Sequence, residues 1–520
     1  MTVMVQPLTG ALPTSLPKWN SINWKDATAH VRQLQMRIAK AHREGKLGKV
    51  KALQWILTHS FSAKLLAVKR VVSNKGAKTP GVDNVTWTTS AQKIEAARSL
   101  KRHEYKTQPL RRIYIPKKQK GQFRPLSIPA MKCRAQQALH LLSLEPIAEL
   151  KADKNAYGFR PLRSTADAIE QCFKTLAKKT SSQYILEGDI KSCFDSISHS
   201  WLLANAPMDK EMLRKWLSAG YIEKKTLYRT ESGTPQGGLS SPALLNVTLS
   251  GLEQAVKTAT LPKEKVHISV YADDFIITGA TKEVLENKVK PVVESFLYER
   301  GLTLSQSKTK ISHINEGFDF LGMNVRKYNG KLIIKPAKSS VERFLADIRK
   351  TIKSNGTAKT ANLISLLNPK IRGWSNYYRH VCSKDTFNYV DHYIFQALWS
   401  WAVRRHPNKN AKWVKAKYFR TEGSQRWVFT DKVSNKQGIS SYVNLVKASK
   451  TPIRRHIKIQ SAATPFEPAY HEYFDERISK QMGAMKSKGK KPHWEKDWWN
   501  LLTSKTRNSE LGSPPRVPAL

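Results

Sequence analysis

The sequence predicts an α+β chain of several domains, and three observations carry that prediction. Apolar residues recur at helical spacing near the N-terminus, mixed strand and helix patterns run to about Ile334, and helical patterns dominate beyond it. The length of 520 residues suits two to four domains, because a single hydrophobic core rarely grows beyond about 250 residues.

From Trp24 to Glu44, Val31, Leu34, Ile38 and Ala41 mark one helix face, and Gly45 follows His42 and Arg43 as a stop signal. A second helical run extends from Val50 through Leu53, Trp55 and Ile56 to Val72. Together they predict a helical N-terminal extension over 1–82, ending in the turn-rich stretch Gly76–Asp83. Between Lys101 and Arg124 lie nine Lys or Arg and one acid, Glu104, interleaved with the strand-like Arg112-Ile113-Tyr114-Ile115 and a turn at Gly121. That pattern predicts a basic β-hairpin. Past Ile334, Phe344, Ile348 and Ile352 keep a helical period. Trp401–Gln460 then holds 15 Lys or Arg against only Glu422 and Asp431. The last 40 residues, rich in Lys, Ser, Gly and Pro, read as a loosely ordered tail over 481–520.

Lys and Arg number 89 against 40 Asp and Glu, a formal net charge of +49. An excess of that size calls for a polyanionic partner, and nucleic acid fits best, since each cation that neutralises a phosphate releases counterions. No stretch approaches 18 consecutive apolar residues, which argues against membrane insertion, and the first 20 residues do not read as a secretory leader. Cys133, Cys172, Cys193 and Cys382 lie far apart. They suggest neither a disulfide framework nor a local zinc site, and a reducing cytoplasm suits them.

The chemistry concentrates in two acidic sites. Tyr271-Ala272-Asp273-Asp274 lies between the apolar pieces Ile268-Ser269-Val270 and Phe275-Ile276-Ile277, which describes a β-hairpin with adjacent carboxylates at its tip. Alone, an adjacent Asp-Asp reads by default as a solvated acidic turn. The second site changes the balance: Asp189 follows the apolar run Tyr184-Ile185-Leu186. A strand-end acid and a hairpin acid can converge on a pair of hard divalent cations, which want oxygen ligands. Two such ions activate an attacking 3′-hydroxyl and stabilise leaving pyrophosphate. Gly233-Thr234-Pro235-Gln236-Gly237-Gly238-Leu239-Ser240-Ser241-Pro242 is a glycine-rich loop that lets backbone approach a ligand closely, with Ser241 as a helix cap and Pro242 at the first helical position.

These motifs, in this order, resemble those of the reverse transcriptase and maturase proteins encoded by bacterial group II introns. Asp189 with the Phe194-Asp195 that follows is similar to the first catalytic motif of reverse transcriptases, and Tyr-Ala-Asp-Asp to the third. The resemblance implies Asp189 and Asp273 as direct ligands of two Mg2+ ions, with Asp274 in support. Phe194 takes the place of the side chain that excludes a ribose 2′-hydroxyl; ordinary core packing is its other reading. Gln236 is implied to lie against template and incoming nucleotide. Ile115-Pro116-Lys117 and Arg124-Pro125-Leu126 resemble the fingers hairpin, which implies that Lys117 and Arg124 hold the triphosphate. Tyr157-Gly158-Phe159-Arg160-Pro161 implies an Arg160 contact to nucleic acid, Lys308 matches a lysine that protonates pyrophosphate, and Phe320-Leu321-Gly322 matches the primer grip. Ile371-Arg372-Gly373-Trp374-Ser375-Asn376-Tyr377-Tyr378 resembles the maturase signature. Trp374, Tyr377 and Tyr378 then either stack on intron RNA or form one packed helix face, or both.

The family implies a right-hand polymerase: fingers and palm over 83–335, a helical thumb and maturase domain over 336–405, and a basic DNA- or RNA-binding region over 406–480. The implied function is RNA-directed DNA polymerisation with assistance to intron splicing and mobility. Its partners are intron RNA, target DNA, a primed RNA template and dNTPs. A reverse transcriptase of the same fold serving defence or repair, and a splicing factor without catalysis, are the alternatives. Many relatives carry a zinc-stabilised H-N-H endonuclease beyond a segment like Ala469–Phe474. With no cysteine after Cys382, none is expected here.

Overall fold

The computed structural model of the chain describes residues 18–116, 123–434 and 440–482. Lys117, the turn at Gly121 and the tail beyond Met482 therefore lie outside the described residues. The chain forms two compact units that interleave along the sequence. The first takes in the described residues up to Leu150, with Leu202–Leu244 and Pro465–Arg477; the second takes Lys151–Trp201, Leu245–Thr464 and the described residues from Ile478. In chain order the strands are β1 (Leu110–Pro116), β2 (Phe123–Ile128), β3 (Tyr184–Asp189), β4 (Tyr221–Glu223), β5 (Thr226–Tyr228), β6 (His267–Tyr271) and β7 (Asp274–Gly279). They continue with β8 (Lys310–His313), β9 (Phe318–Phe320), β10 (Met323–Tyr328), β11 (Lys331–Pro336), β12 (Phe419–Glu422), β13 (Gln425–Ser434) and β14 (Ser440–Asn444). Among the described residues no helix is long and apolar enough to cross a membrane.

In the first unit the helix Trp24–Arg43 starts where the Asn23 side chain accepts from the backbone N–H groups of Lys25 and Asp26. Its stripe of Val31, Leu34, Ile38 and Ala41 is buried. The expected single run to Val72 is two helices, Leu47–His59 and Phe61–Val72, because Ser60 adopts extended backbone between them. The break re-phases the apolar face. Val50, Leu53 and Leu57 go inward on one side and Leu65, Leu66, Val68 and Val71 on the other, leaving Trp55, Ile56 and Phe61 exposed. The predicted basic hairpin is present as antiparallel β1–β2, with Ile115 opposite Arg124, in a sheet of order β2-β1-β4-β5.

The long helix Met131–Lys151 is buried along most of its length and contains Pro146. Proline has no N–H, so the carbonyl four residues earlier, Leu142, loses its intrahelical donor. Gln35, buried on the helix Trp24–Arg43, replaces it by donating Nε2–H to that carbonyl at 2.7 Å.

The second unit holds the antiparallel sheet β6-β7-β3-β8, a three-stranded sheet β11-β10-β9, and the helices Lys338–Ser354, Thr360–Tyr378 and Lys384–Arg404. Trp374, Tyr377 and Tyr378 are buried at 1%, 6% and 1% exposure. Trp374 stacks on Phe344 with centroids 4.6 Å apart and meets the edge of Phe387 at 5.7 Å. The Tyr377 hydroxyl donates to the Leu321 carbonyl at 2.8 Å and the Tyr378 hydroxyl to the Gly322 carbonyl at 3.2 Å. Stacking of these rings on RNA is therefore corrected to the alternative: they are core, and their hydroxyls anchor Phe320-Leu321-Gly322. Strands β12-β13-β14 form a further sheet where only a basic stretch was expected.

Replacing Gln35 with Met leaves the Leu142 carbonyl buried without a donor. The expected cost is about 1–3 kcal/mol, measured as a lower denaturant midpoint with secondary structure at neutral pH unchanged.

Candidate active site

β3 and β7 pair antiparallel with Gly188 opposite Phe275 and Asp189 opposite Asp274. Directly opposed residues on adjacent strands project to the same face, so these two carboxylates are cross-strand neighbours. Asp273 stands in the turn between β6 and β7, beside Ala272, which takes the left-handed conformation at φ 59°. Residues far apart in sequence thus meet at one end of one sheet. Two glycines set the register. A Cβ on Gly188 would fall 2.2 Å from the Phe275 ring, and a Cβ on Gly158 would fall 2.2 Å from the Ala272 nitrogen. The segment before Gly158 runs along β6: Tyr157 N–H donates to the Val270 carbonyl, and Val270 N–H to the Asn155 carbonyl, both at 2.9 Å.

Arg160 belongs to this scaffold. It is 3% exposed, and its Nη1 donates to the carbonyls of Asp153 at 2.7 Å and Ala156 at 2.6 Å. The expected contact to nucleic acid is corrected accordingly: a guanidinium this deeply buried and bonded holds the loop that seats the Ala272-Asp273 turn. The Asp153 carboxylate in turn accepts from the N–H groups of Gly251 and Glu253, at 2.8 and 2.9 Å. Lys458, from the basic zone, is likewise turned inward, donating to Gln171 Oε1 at 2.7 Å and the Tyr157 hydroxyl at 3.2 Å. Gly158, Gly188, Phe275 and Asp153 were not among the expected site residues; the glycine within Tyr157-Gly158-Phe159 was the one available signal.

Lys308 Nζ donates to Asp189 Oδ2 at 2.8 Å. Its backbone is tied to the same strand end, since Ser305 N–H bonds to the Asp189 carbonyl at 2.8 Å and Lys308 N–H to the Ser305 carbonyl at 3.1 Å. The Asp189 hydrogen bond, and then the charges of Asp189, Asp274 and Asp273, hold the Lys308 ammonium above the usual lysine range despite some burial. The same negative field reaches Cys193. Burial first, then Asp273, Asp189 and Asp195, push its thiol far up, so it is inert as a nucleophile. Phe194, second in the short helix Cys193–Ser196, is half-buried and meets Phe159 edge to face at 6.1 Å.

The carboxylates offer the hard oxygen donors that Mg2+ requires, and the Lys308 ammonium already rests on Asp189 as a cation would. Among the described residues no group of three or more His, Cys, Asp and Glu is arranged to hold a metal ion.

In the first unit, Arg124 lies exposed on β2. The glycine-rich loop is pinned by its backbone: the Gln236 carbonyl accepts from Ser127 N–H at 2.8 Å, and Leu239 N–H donates to Gln137 Oε1 at 2.8 Å. Gly237 sits at φ 118°, where a Cβ would stand 2.7 Å from the Ser127 carbonyl oxygen. The Ser241 hydroxyl, expected to cap the helix Ser241–Leu249, donates instead to the Pro235 carbonyl at 2.9 Å and closes the loop on itself.

Three family models match the chain: the N-terminal domain of reverse transcriptase over residues 19–100, reverse transcriptase (RNA-dependent DNA polymerase) over 115–325, and the group II intron maturase-specific domain over 341–419. Protein YkfC of Escherichia coli is 33% identical, across 49% of this chain and 78% of its own length. The group II intron-encoded protein LtrA of Lactococcus lactis is 27% identical, across 70% of this chain and 76% of its own. A 91 kDa protein in the cob intron of Schizosaccharomyces pombe is 25% identical, across 64% and 51%. With a polymerase domain, its N-terminal companion and a maturase domain in one continuous order, the chain belongs to the group II intron-encoded reverse transcriptase and maturase family.

Proposed function

We propose that this RNA-directed DNA polymerase extends a DNA primer at the β3–β7 end, with Asp189, Asp273 and Asp274 as its metal-holding carboxylates. The pairing of Asp189 with Asp274 across two strands carries the reading. When bound, two Mg2+ ions would lower the pKa of the primer 3′-hydroxyl and neutralise the charge that develops on pyrophosphate. The chain's own residues supply the rest. Lys308 keeps its proton at neutral pH, next to Asp189, and is suited to give it to the leaving pyrophosphate as a general acid. Phe194 is the residue proposed to exclude a 2′-hydroxyl. Lys117 and Arg124 are proposed to hold the triphosphate and Gln236 to lie against the nascent pair. The fingers and palm, thumb and basic region are assigned to 83–335, 336–405 and 406–480 on the same footing. The partners proposed are the primed RNA template, dNTPs, the intron RNA and a DNA target, and the place of action is the cytoplasm.

Primer extension on an RNA template with Mg2+ tests this assignment. Asp273→Asn is expected to lower extension at least about 100-fold, the scale of several kcal/mol of transition-state stabilisation, while splicing of the intron RNA persists. Loss of splicing in a folded variant would refute the separation of the two activities. Lys308→Ala is expected to lower kcat about 100-fold or more, with little change in dNTP affinity. For Phe194→Ala, the ratio of ribonucleotide to deoxyribonucleotide incorporation should rise about tenfold or more; an unchanged ratio would return Phe194 to simple packing.

A further inference from the structure

The second unit ends its maturase-matched stretch in an aromatic cluster that the polymerase reaction does not use. Phe395 and Trp399, half-buried on the helix Lys384–Arg404, lie with buried Phe419 of β12 beneath Trp427 of β13. Trp427 stands 5.8 Å from Phe395, 5.6 Å from Trp399 and 5.8 Å from Phe419, ring centre to ring centre. The cluster is graded from core to surface, and Trp427 remains 36% exposed.

Two features of Trp427 go beyond core packing. Its backbone is left-handed, φ 61°, in a hairpin whose register shifts between Arg420 and Glu422. For a bulky side chain this conformation costs on the order of 1–2 kcal/mol, and glycine or asparagine would take it with less strain. The second feature is charge. Lys415 Nζ lies 4.5 Å from the centre of the Trp427 ring. The neighbouring exposed rings repeat the arrangement: Lys417 lies 4.8 Å from Trp413, and the Arg420 guanidinium lies 4.1 Å from Tyr442. Each cation lies over its ring on a flexible stem, so a base can displace it from the ring face and leave it to meet the phosphate of the same nucleotide.

We propose that Trp427, backed by Phe395 and Trp399 and capped by a displaceable Lys415, is a stacking platform for an unpaired base of RNA. This rests on the reading of the chain as an intron-encoded protein. RNA is chosen over DNA because three of the four rings, Phe395, Trp399 and Phe419, lie within the maturase-specific match, and because unpaired, splayed bases are the usual handle for proteins that recognise RNA. The strained bulge directs the fourth ring onto the other three.

Fluorescence anisotropy with a short single-stranded RNA, the same-sequence DNA and an RNA duplex tests the platform on the full chain. Trp427→Asn, which suits the positive φ, is expected to weaken single-stranded RNA binding about 5- to 100-fold and leave the salt dependence unchanged. Trp427→Phe is expected to restore most of the affinity, which a mere folding defect would not allow. Lys415→Gln should reduce the salt slope by about one counterion. An RNA carrying abasic positions should bind wild type and Trp427→Asn equally. Unchanged RNA affinity in Trp427→Asn, or tighter binding of the DNA or the duplex than of single-stranded RNA, would overturn the proposal. Trp427→Asn should still extend a short primed template, so failure of the platform and failure of the polymerase reading are separable.

Discussion

The pairing of β3 with β7 is the constraint on which the second unit's chemistry depends. A strand's side chains alternate faces, so a slip of one residue would send Asp189 to the opposite face from Asp274 and dissolve the carboxylate pair. Gly188 prevents that slip: it sits under the Phe275 ring in a space that no other residue's Cβ could share. The chemistry asks for two acids together, which repel one another. The sheet supplies the rigidity to hold them, and the Lys308 ammonium offsets part of their charge.

A second layer of constraint fixes the turn that carries Asp273. Arg160 bonds the carbonyls of Asp153 and Ala156 and so shapes the loop that lies along β6. That loop places Gly158 against the backbone of Ala272, and the left-handed turn is held by contact rather than by its own propensity. From behind, Asp167, fully buried, accepts from Ile459 N–H at 2.8 Å, and Lys458 reaches Tyr157. Residues 456–459 thus brace the same loop from the chain's C-terminal side. An element read from its charge as a nucleic-acid contact contributes to the geometry of the carboxylates.

The sequence revealed most where local rules suffice. Tyr271–Asp274 between apolar runs, and Asp189 after one, are strand-and-turn signals that need no tertiary information, and both lie where those signals put them. It was ambiguous where one spacing serves two ends. Trp374, Tyr377 and Tyr378 recur at the interval that a core face and a stacking face share, and only burial distinguishes them. It was silent where the determinant is distant, as in the donation from Gln35 to the carbonyl that Pro146 deprives of a partner. The sheet β12-β13-β14 escaped for another reason. Gln425–Ser434 buries only Val428, Phe429 and Thr430 in succession and shows no alternation to read.

The basic excess also takes on structure once its members are sorted. Arg134 is buried and donates to the carbonyls of Pro129, Gly76 and Thr79, while Arg163 donates to those of Ser461 and Ala463. Such cations serve as internal struts, because a guanidinium offers five donors in a fixed fork and can satisfy several carbonyls at once. Lysines such as Lys409, Lys415 and Lys417 stay at the surface over exposed rings. A net charge of +49 therefore overstates the field available to a polyanion. What a nucleic acid meets is the exposed subset, and where that subset sits over Trp413, Trp427 and Tyr442, charge and stacking act on one nucleotide together.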